Sequence, residues 1–166
     1  AGEWEATAPT ATSDRVCREG QMCGLGYYEY APVGLRSDRT CRPCAAGRFK
    51  NSAGNHRCTL CSVGQFQSAT GQSSCNNCPT GRFQSRRNSV RCEACEAGRF
   101  ARAPGAHECH RCSAGQYQDE TGKNTCKTDC AAGHFISADK TRCSACDAGK
   151  ISPDKNKGEC VACPMG

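Results

Sequence analysis

The chain has 166 residues, with 18 cysteines, 18 glycines and a formal net charge of +6 from 22 basic and 16 acidic residues. Cysteine above a tenth of the composition, beside one tryptophan, two methionines and five phenylalanines, argues against folding on an apolar core alone and for a disulfide scaffold of an oxidising compartment. No apolar run reaches membrane length, which excludes membrane insertion within this segment, and the modest basic excess with few aromatics does not suit a nucleic-acid binder.

Residues 1–16, AGEWEATAPTATSDRV, contain neither cysteine nor repeat and are set apart as an extended Thr/Ala/Pro-containing segment, leaving residues 17–166 as the array. Thr7, Thr10 and Thr12 lie in a run typical of flexible lead-ins and of O-linked sugar attachment. Trp4, the only tryptophan, offers the alternative of an anchor that docks on a neighbour. No N-x-[ST] sequon and no signal-peptide pattern occur, as expected of a processed or excised secreted segment.

Beyond this segment cysteines recur every 17 residues, at Cys41, Cys58, Cys75, Cys92, Cys109, Cys126, Cys143 and Cys160. Each opens a doublet completed by Cys44, Cys61, Cys78, Cys95, Cys112, Cys130, Cys146 or Cys163, and Cys17/Cys23 forms a looser first doublet. A glycine stands three residues after each doublet, and two further on comes a ring: Tyr28, Phe49, Phe66, Phe83, Phe100, Tyr117 or Phe135, replaced by Ile151 in the last complete unit. Gly54, Gly71, Asn88, Gly105, Gly122, Asp139 and Asn156 precede the next doublet by four residues, and these residue types tolerate a left-handed backbone. The unit C-x2-C-x2-G-x-F-x4-[G/N/D]-x3 predicts a short strand, a tight turn and a return. About nine such hairpin or loop repeats make a small disulfide-rich fold, an elongated rod with little regular secondary structure. One unit is irregular: Cys126/Cys130 gains a residue and the stretch from Phe135 to Asp139 loses one, so the period survives.

A unit with a single ring buries too little apolar surface to order itself, so covalent closure is required. Whatever the connectivity, it should repeat once per unit. Joining the second cysteine of one doublet to the first of the next satisfies this, giving Cys23 with Cys41, Cys44 with Cys58, Cys61 with Cys75, Cys78 with Cys92, Cys95 with Cys109, Cys112 with Cys126, Cys130 with Cys143 and Cys146 with Cys160. Loops of this size are each worth about 3 kcal/mol in the chain-entropy picture. Interlocked pairing, first with first and second with second, consumes doublets in twos and strands one of nine; sequence alone does not fix the choice. Consecutive pairing leaves Cys17 and Cys163 over. Pro164-Met165-Gly166 opens another unit, so the expectation is an excerpt of a longer array, the sharper alternative being a bond from Cys17 or Cys163 across a subunit boundary.

The run CRPCAAGRFKNSAGNHRC, with CSVGQFQSATGQSSC and CPTGRFQSRRNSVRC in the same frame, resembles the tandem cysteine-rich repeats of ephrin-receptor-like and tumour-necrosis-factor-receptor-like ectodomains. The resemblance covers Cys17 to Gly166. It implies a small module closed by one disulfide, matching Cys44 with Cys58 and its equivalents, and an elongated extracellular, secreted or cell-surface rod that binds proteins and has no activity of its own. The uniformity of the units, against the varied loops that receptors use, favours a spacer, matrix, adhesive or filament role.

Two other chemistries were weighed. C-x2-C doublets 13 residues apart approach zinc-ribbon spacing, so a zinc-binding adaptor is an alternative. Against it stand the odd number of doublets, the C-x5-C and C-x3-C members, and the glycine three residues after the doublet instead of next to it. No catalytic constellation appears: His56, His107, His110 and His134 occupy unrelated frame positions, and no phosphate loop or nucleophile elbow is present. The expectation is no enzyme activity and no cofactor.

The positive charge is uneven. Arg36, Arg39, Arg42, Arg48, Lys50 and Arg57 gather against Asp38, and Arg82, Arg86, Arg87, Arg91, Arg99 and Arg102 against Glu93 and Glu96. A basic face suits acidic polysaccharide or the acidic patch of a partner, with a merely solvated surface as the bland reading. The sequence thus points to a non-enzymatic extracellular spacer that contacts proteins, copies of itself included; the alternative is a receptor ectodomain that recognises a protein ligand through its repeats.

Overall fold

The structure, a computed structural model, describes residues 3–13 and 15–164. Among these no helix forms, and sixteen short strands pair into eight two-stranded sheets. Eight disulfides close eight consecutive loops, and we number the modules by them: 1, Cys23–Cys41; 2, Cys44–Cys58; 3, Cys61–Cys75; 4, Cys78–Cys92; 5, Cys95–Cys109; 6, Cys112–Cys126; 7, Cys130–Cys143; 8, Cys146–Cys160. The described residues fall into two compact units. One takes the chain up to Ser62 with Phe66–Asn76 and Arg87–Val90; the other takes Val63–Gln65, Asn77–Arg86 and the chain from Arg91 on. The first contains disulfides 1 to 3 and the second disulfides 4 to 8.

The N-terminal segment is paired with the start of the array. Strand β1 (Glu3–Thr7) pairs antiparallel with β2 (Val16–Glu19), with Trp4 opposite Arg18 and Glu5 opposite Cys17. Thr10 shapes the connection, its hydroxyl oxygen accepting the Ser13 amide at 3.0 Å, and the Glu5 amide donates to the Leu35 carbonyl at 2.8 Å. What composition reads as a lead-in is one arm of a hairpin, because backbone pairing needs no apolar face. Strands β3 (Tyr27–Ala31) and β4 (Thr40–Pro43) form the next hairpin.

Most later modules follow one plan. The ring and the residue before it form a two-residue strand that pairs with the interior of the next doublet, as Arg48–Phe49 does with Thr59–Leu60 and Arg99–Phe100 with His110–Arg111; around the lengthened doublet Tyr117 makes only a single bridge to Lys127, and His134–Ile136 pairs over three residues with Cys143–Ala145. Second cysteines supply the deepest burial: Cys44, Cys61, Cys78, Cys95 and Cys130 are fully enclosed. Phe83 and Ala106 pack on the cluster of Cys95, Ala101 and Cys109, so a ring of one module rests on the disulfide of the next. Tyr117 packs likewise with Cys130 and Ile136.

Consecutive modules are tied by backbone hydrogen bonds in a repeated set. Between modules 4 and 5 the Gly81 amide donates to Ala101 O at 2.8 Å, Gln84 to Ala106 O at 3.1 Å and, in return, Gly105 to Cys78 O at 2.8 Å. Modules 5 and 6 repeat the set through Gly98 to Gln118 O, Ala101 to Lys123 O and Gly122 to Cys95 O. The glycine after each doublet makes this possible: at Gly81, φ is +76°, and its bare Cα comes against the carbonyl of Gly122 two modules further on. The turn before each doublet is also left-handed, with Asn88 at φ 62° and Asn156 at φ 59°. One position differs from expectation. In module 7 Lys140, at φ 63°, takes the left-handed place instead of Asp139: it stands five residues after Phe135, as Gly122 does after Tyr117, so the residue this loop lacks is missing between the turn and Cys143 and not before the turn.

Asp139 is used differently: its carboxylate accepts from the Ser137 hydroxyl at 2.5 Å, the Thr141 hydroxyl at 2.9 Å and the Thr141 amide at 3.2 Å. The Ser137 bond leads in holding its carboxyl down from 3.8 to about 2. A depressed folded-state value contributes stability that is present above pH 3.8 and is lost as pH falls through about 2. Module 7 should therefore loosen across that window, seen as faster amide exchange at Thr141, and Asp139→Asn should abolish this pH dependence.

The lengthened doublet Cys126/Cys130 breaks the plan between modules 6 and 7, where only the Gln118 amide to Lys140 O, at 2.9 Å, remains of the set among the described residues. Asn156 of module 8 mends the displaced cysteine. Its Oδ1 accepts the Cys130 amide at 3.0 Å, its Nδ2 donates to Thr128 O at 2.7 Å, and its own amide donates to Cys130 O at 2.9 Å. Asn156→Gly keeps the left-handed turn and loses both side-chain bonds, an expected cost of about 1–3 kcal/mol. Asn88→Gly, at a turn whose side chain shows no hydrogen bond, should cost less than about 0.5 kcal/mol or be neutral. Denaturant titration of the oxidised protein compares the two.

Candidate interaction surface

The residue after the ring is buried in modules 2 to 7, apolar as Ala101 and Ile136 in modules 5 and 7 and polar in the others. Gln67, Gln84 and Gln118 are buried, and each makes the same two bonds inside its loop: Gln84 Nε2 donates to Arg91 O at 2.8 Å while its Oε1 accepts the Arg86 amide at 3.0 Å. Gln67 and Gln118 repeat the pair with Ser74 and Ala69, and with Thr125 and Glu120. Module 2 has Lys50 there, 1% exposed, with its ammonium among four carbonyl oxygens: Gly54 at 2.5 Å, Tyr27 at 2.6 Å, Cys23 at 3.2 Å and Gly24 at 3.4 Å. Burial pushes its pKa below 10.5. The sequence carried a signal for this position in the recurrent FQS and YQD, but a glutamine beside a ring reads as solvent-facing until the strand register is known.

This alters the basic clusters. Lys50 belongs to the interior. Arg39 is 3% exposed in its side chain and bonded to Glu29 at 2.8 Å, Arg36 lies 3.7 Å from Glu5, and the Arg42 guanidinium stacks 3.3 Å over the Tyr30 ring. In the second cluster Arg82, Arg86, Arg87, Arg91, Arg99 and Arg102 are all exposed. Two of them also serve the fold, Arg82 donating to Cys92 O at 3.3 Å and Arg99 to Cys109 O at 3.0 Å. Further along, Lys127 bridges Asp119 at 2.6 Å and Glu120 at 3.3 Å, its hydrogen bond drawing the Asp119 carboxyl down, so this stretch is charge-compensated.

What remains open are shallow grooves. One of about 450 Å³ is walled by Tyr28, Tyr30, Pro43, Ala45, Arg48 and Arg57. The guanidinium groups of Arg48 and Arg57 have no ion-pair or hydrogen-bond partner among the described residues, and Glu29 in the same wall is taken up by Arg39. Exposed apolar side chains cluster nearby in sequence: Val16, Met22, Leu25, Tyr27, Tyr30 and Leu35 are six of the ten large ones among the described residues. Tyrosine beside arginine is the composition of protein-contact hot spots.

The other residues singled out from sequence are scattered. Thr7, Thr10 and Thr12 are exposed and Trp4 is half-buried in the N-terminal hairpin. Cys17 and Cys163 are free and exposed, Cys163 keeping the frame through its amide bond to Gly149 O at 3.0 Å. The four histidines are not brought together, and no group of three or more His, Cys, Asp or Glu suited to a metal gathers among the described residues. No helix of the described residues is long and apolar enough to cross a membrane.

No curated protein matches the chain. Residues 34–71, 51–95 and 64–108 each match the family model for tyrosine-protein kinase ephrin type A/B receptor-like repeats, the three matches overlapping as a frame-shifted reading of one array should. Repeats of this kind are non-catalytic, disulfide-rich modules typical of extracellular domains. Residues 34–108 are thus similar in sequence to ephrin-receptor-like cysteine-rich repeats, and in the structure one disulfide closes each module of this stretch.

Proposed function

We propose that the chain is a non-catalytic extracellular spacer that contacts other proteins along its modules. The observation that supports this is the locality of its bonding: disulfides join only consecutive doublets, and outside the break between modules 6 and 7 the backbone sets tie a module to the next, the pattern of a repeat protein whose surface is presented unit by unit. Small-angle scattering of the oxidised, secreted protein tests it. A spacer has a radius of gyration well above the roughly 15 Å of a compact domain of this size, and a compact value would overturn the reading. A second reading, a receptor ectodomain with a ligand site in its first modules, is favoured by the exposed tyrosines and apolar side chains concentrated between Val16 and Leu35. Alanine at Tyr27, Tyr30 and Leu35 separates the two, since a spacer keeps its contacts and a receptor loses its ligand.

A further inference from the structure

The groove beside Arg48 and Arg57 is one of a series. A second, of about 300 Å³, is walled by Phe83, Ala94, Glu96, Arg99 and Glu108, and a third, of about 220 Å³, by Phe135, Asp147, Lys150 and Glu159. In the repeat frame these are the same places. The ring comes from the preceding module, as Tyr28, Phe83 or Phe135; one wall is the residue after the second cysteine, Ala45, Glu96 or Asp147; the rim is the residue before the closing cysteine, Arg57, Glu108 or Glu159. The grooves belong to modules 2, 5 and 8, three modules apart, and between the first and the others the charge is inverted.

In module 2 the free cations are Arg48 and Arg57, with Arg42 stacked on Tyr30 beside them. In module 5 Glu96 and Glu108 face a single arginine, Arg99, whose guanidinium is turned to the Cys109 carbonyl at 3.0 Å, and Glu93 adds a third carboxylate. Neither Glu93 nor Glu96 has a lysine or arginine partner among the described residues, and Glu108 has only His107 at 4.0 Å. In module 8 Lys150 lies 3.5 Å from Asp147 and offsets part of the charge, so the groove of module 5, where three carboxylates meet one arginine, is the more acidic of the two, with the exposed Arg82, Arg91 and Arg102 of the same stretch outside its walls.

We infer that the basic groove of module 2 receives the acidic groove rim of module 5 of a second copy of this chain. The inference rests on the protein-contact reading above and names its partner. A second copy is favoured over a foreign acidic protein because the complementary carboxylates already occur here, at equivalent frame positions of the repeat. Complementary charge on matched surfaces selects partner and register more than it adds affinity. Because the contact joins two different patches, it leaves a basic groove free on one copy and an acidic one on the other, the heterologous arrangement that continues into larger assemblies unless it closes. Individually weak contacts then act together.

The experiment is sedimentation of the oxidised full chain, with Cys17→Ser and Cys163→Ser in every sample so that no covalent dimer forms. One variant carries Arg48→Glu and Arg57→Glu and presents only acidic grooves; the other carries Glu96→Arg and Glu108→Arg and presents basic ones. Disulfide mapping verifies that both keep the eight bonds. Self-association of the parent should weaken at least tenfold between about 0.05 M and about 0.5 M salt as screening shortens. Each variant alone should lose association at least tenfold, and an equimolar mixture should regain it. A monomeric parent at every salt concentration, or a mixture that fails to associate, overturns the inference. If a monomeric parent binds polyglutamate or a sulfated polysaccharide and Arg48→Glu with Arg57→Glu removes that binding, the groove serves a foreign polyanion; the second-copy inference then fails while the contact reading stands.

Discussion

Replacing Gly81 by alanine should destabilise the oxidised protein by about 2–5 kcal/mol, whereas the same change at Gly133 should cost only about 1–2 kcal/mol. Both residues are left-handed, at φ 76° and φ 80°, so both pay the conformational penalty of a β-carbon. They differ in surroundings. A β-carbon at Gly81 would fall inside the van der Waals envelope of the Gly122 carbonyl oxygen, a backbone atom that cannot swing aside, while at Gly133 nothing lies within 4 Å. Denaturant melts of the two variants, with amide exchange at Gly105 and Gly122 as a local readout, make the comparison. Equal losses would mean that the close approach between second-neighbour modules contributes nothing.

Lys50→Met should cost about 3 kcal/mol or more and loosen module 1 before the rest of the array. The change preserves the buried volume and removes the donor shared by four carbonyls, of which Cys23 O keeps the Gly54 amide at 2.9 Å and Gly24 O the Tyr27 amide at 3.2 Å, while those of Tyr27 and Gly54 are orphaned. Orphaned buried acceptors cost about 1–3 kcal/mol each. Lys50→Gln supplies the informative contrast. A glutamine can close its own loop as Gln67 and Gln84 do, so module 2 should be retained, but its shorter side chain cannot serve the carbonyls of Cys23, Gly24 and Tyr27. Exchange protection should then be lost in residues 23–31 and kept around Gly54. Protection lost equally in both stretches would show that Lys50 fills space and bridges nothing.

The contrast between these residues shows what a sequence of this kind discloses. The period, the ring two residues after the glycine and the turn before each doublet were legible because each answers a requirement repeated in every unit: a wall for the disulfide, a strand to pair with the doublet, a change of direction. Consecutive pairing was legible for the same reason, since nine equivalent doublets admit few connectivities that repeat once per unit. Lys50 was read as part of a basic face because its burial depends on four carbonyls from two modules converging on one point, and nothing in its neighbours announces that. The second left-handed position, at the glycine after each doublet, was noted as a spacing only; from Gly26 to Gly115 an approach from two modules away adds to the left-handed backbone a second reason for having no side chain. Residues 3–7 were taken for a lead-in because their partner strand, Val16–Glu19, has an unpatterned sequence and all four of its residues are exposed. Arg82 and Arg99 counted as free charge until the strand register turned them toward the carbonyls of Cys92 and Cys109.

Disulfides that never reach past the adjacent doublet bear on how the chain is made. In modules 2 to 6 and module 8 each closing cysteine finds its partner 14 residues behind it, so a growing chain in an oxidising environment can close each loop before the next is synthesised. Long-range closure is what slows folding and leaves interacting surface exposed, and here it is absent by construction. Oxidation can run as a zipper from the N-terminal side, each finished module templating its successor. Errors are then confined to a single doublet, where one cysteine is taken for its neighbour three residues away.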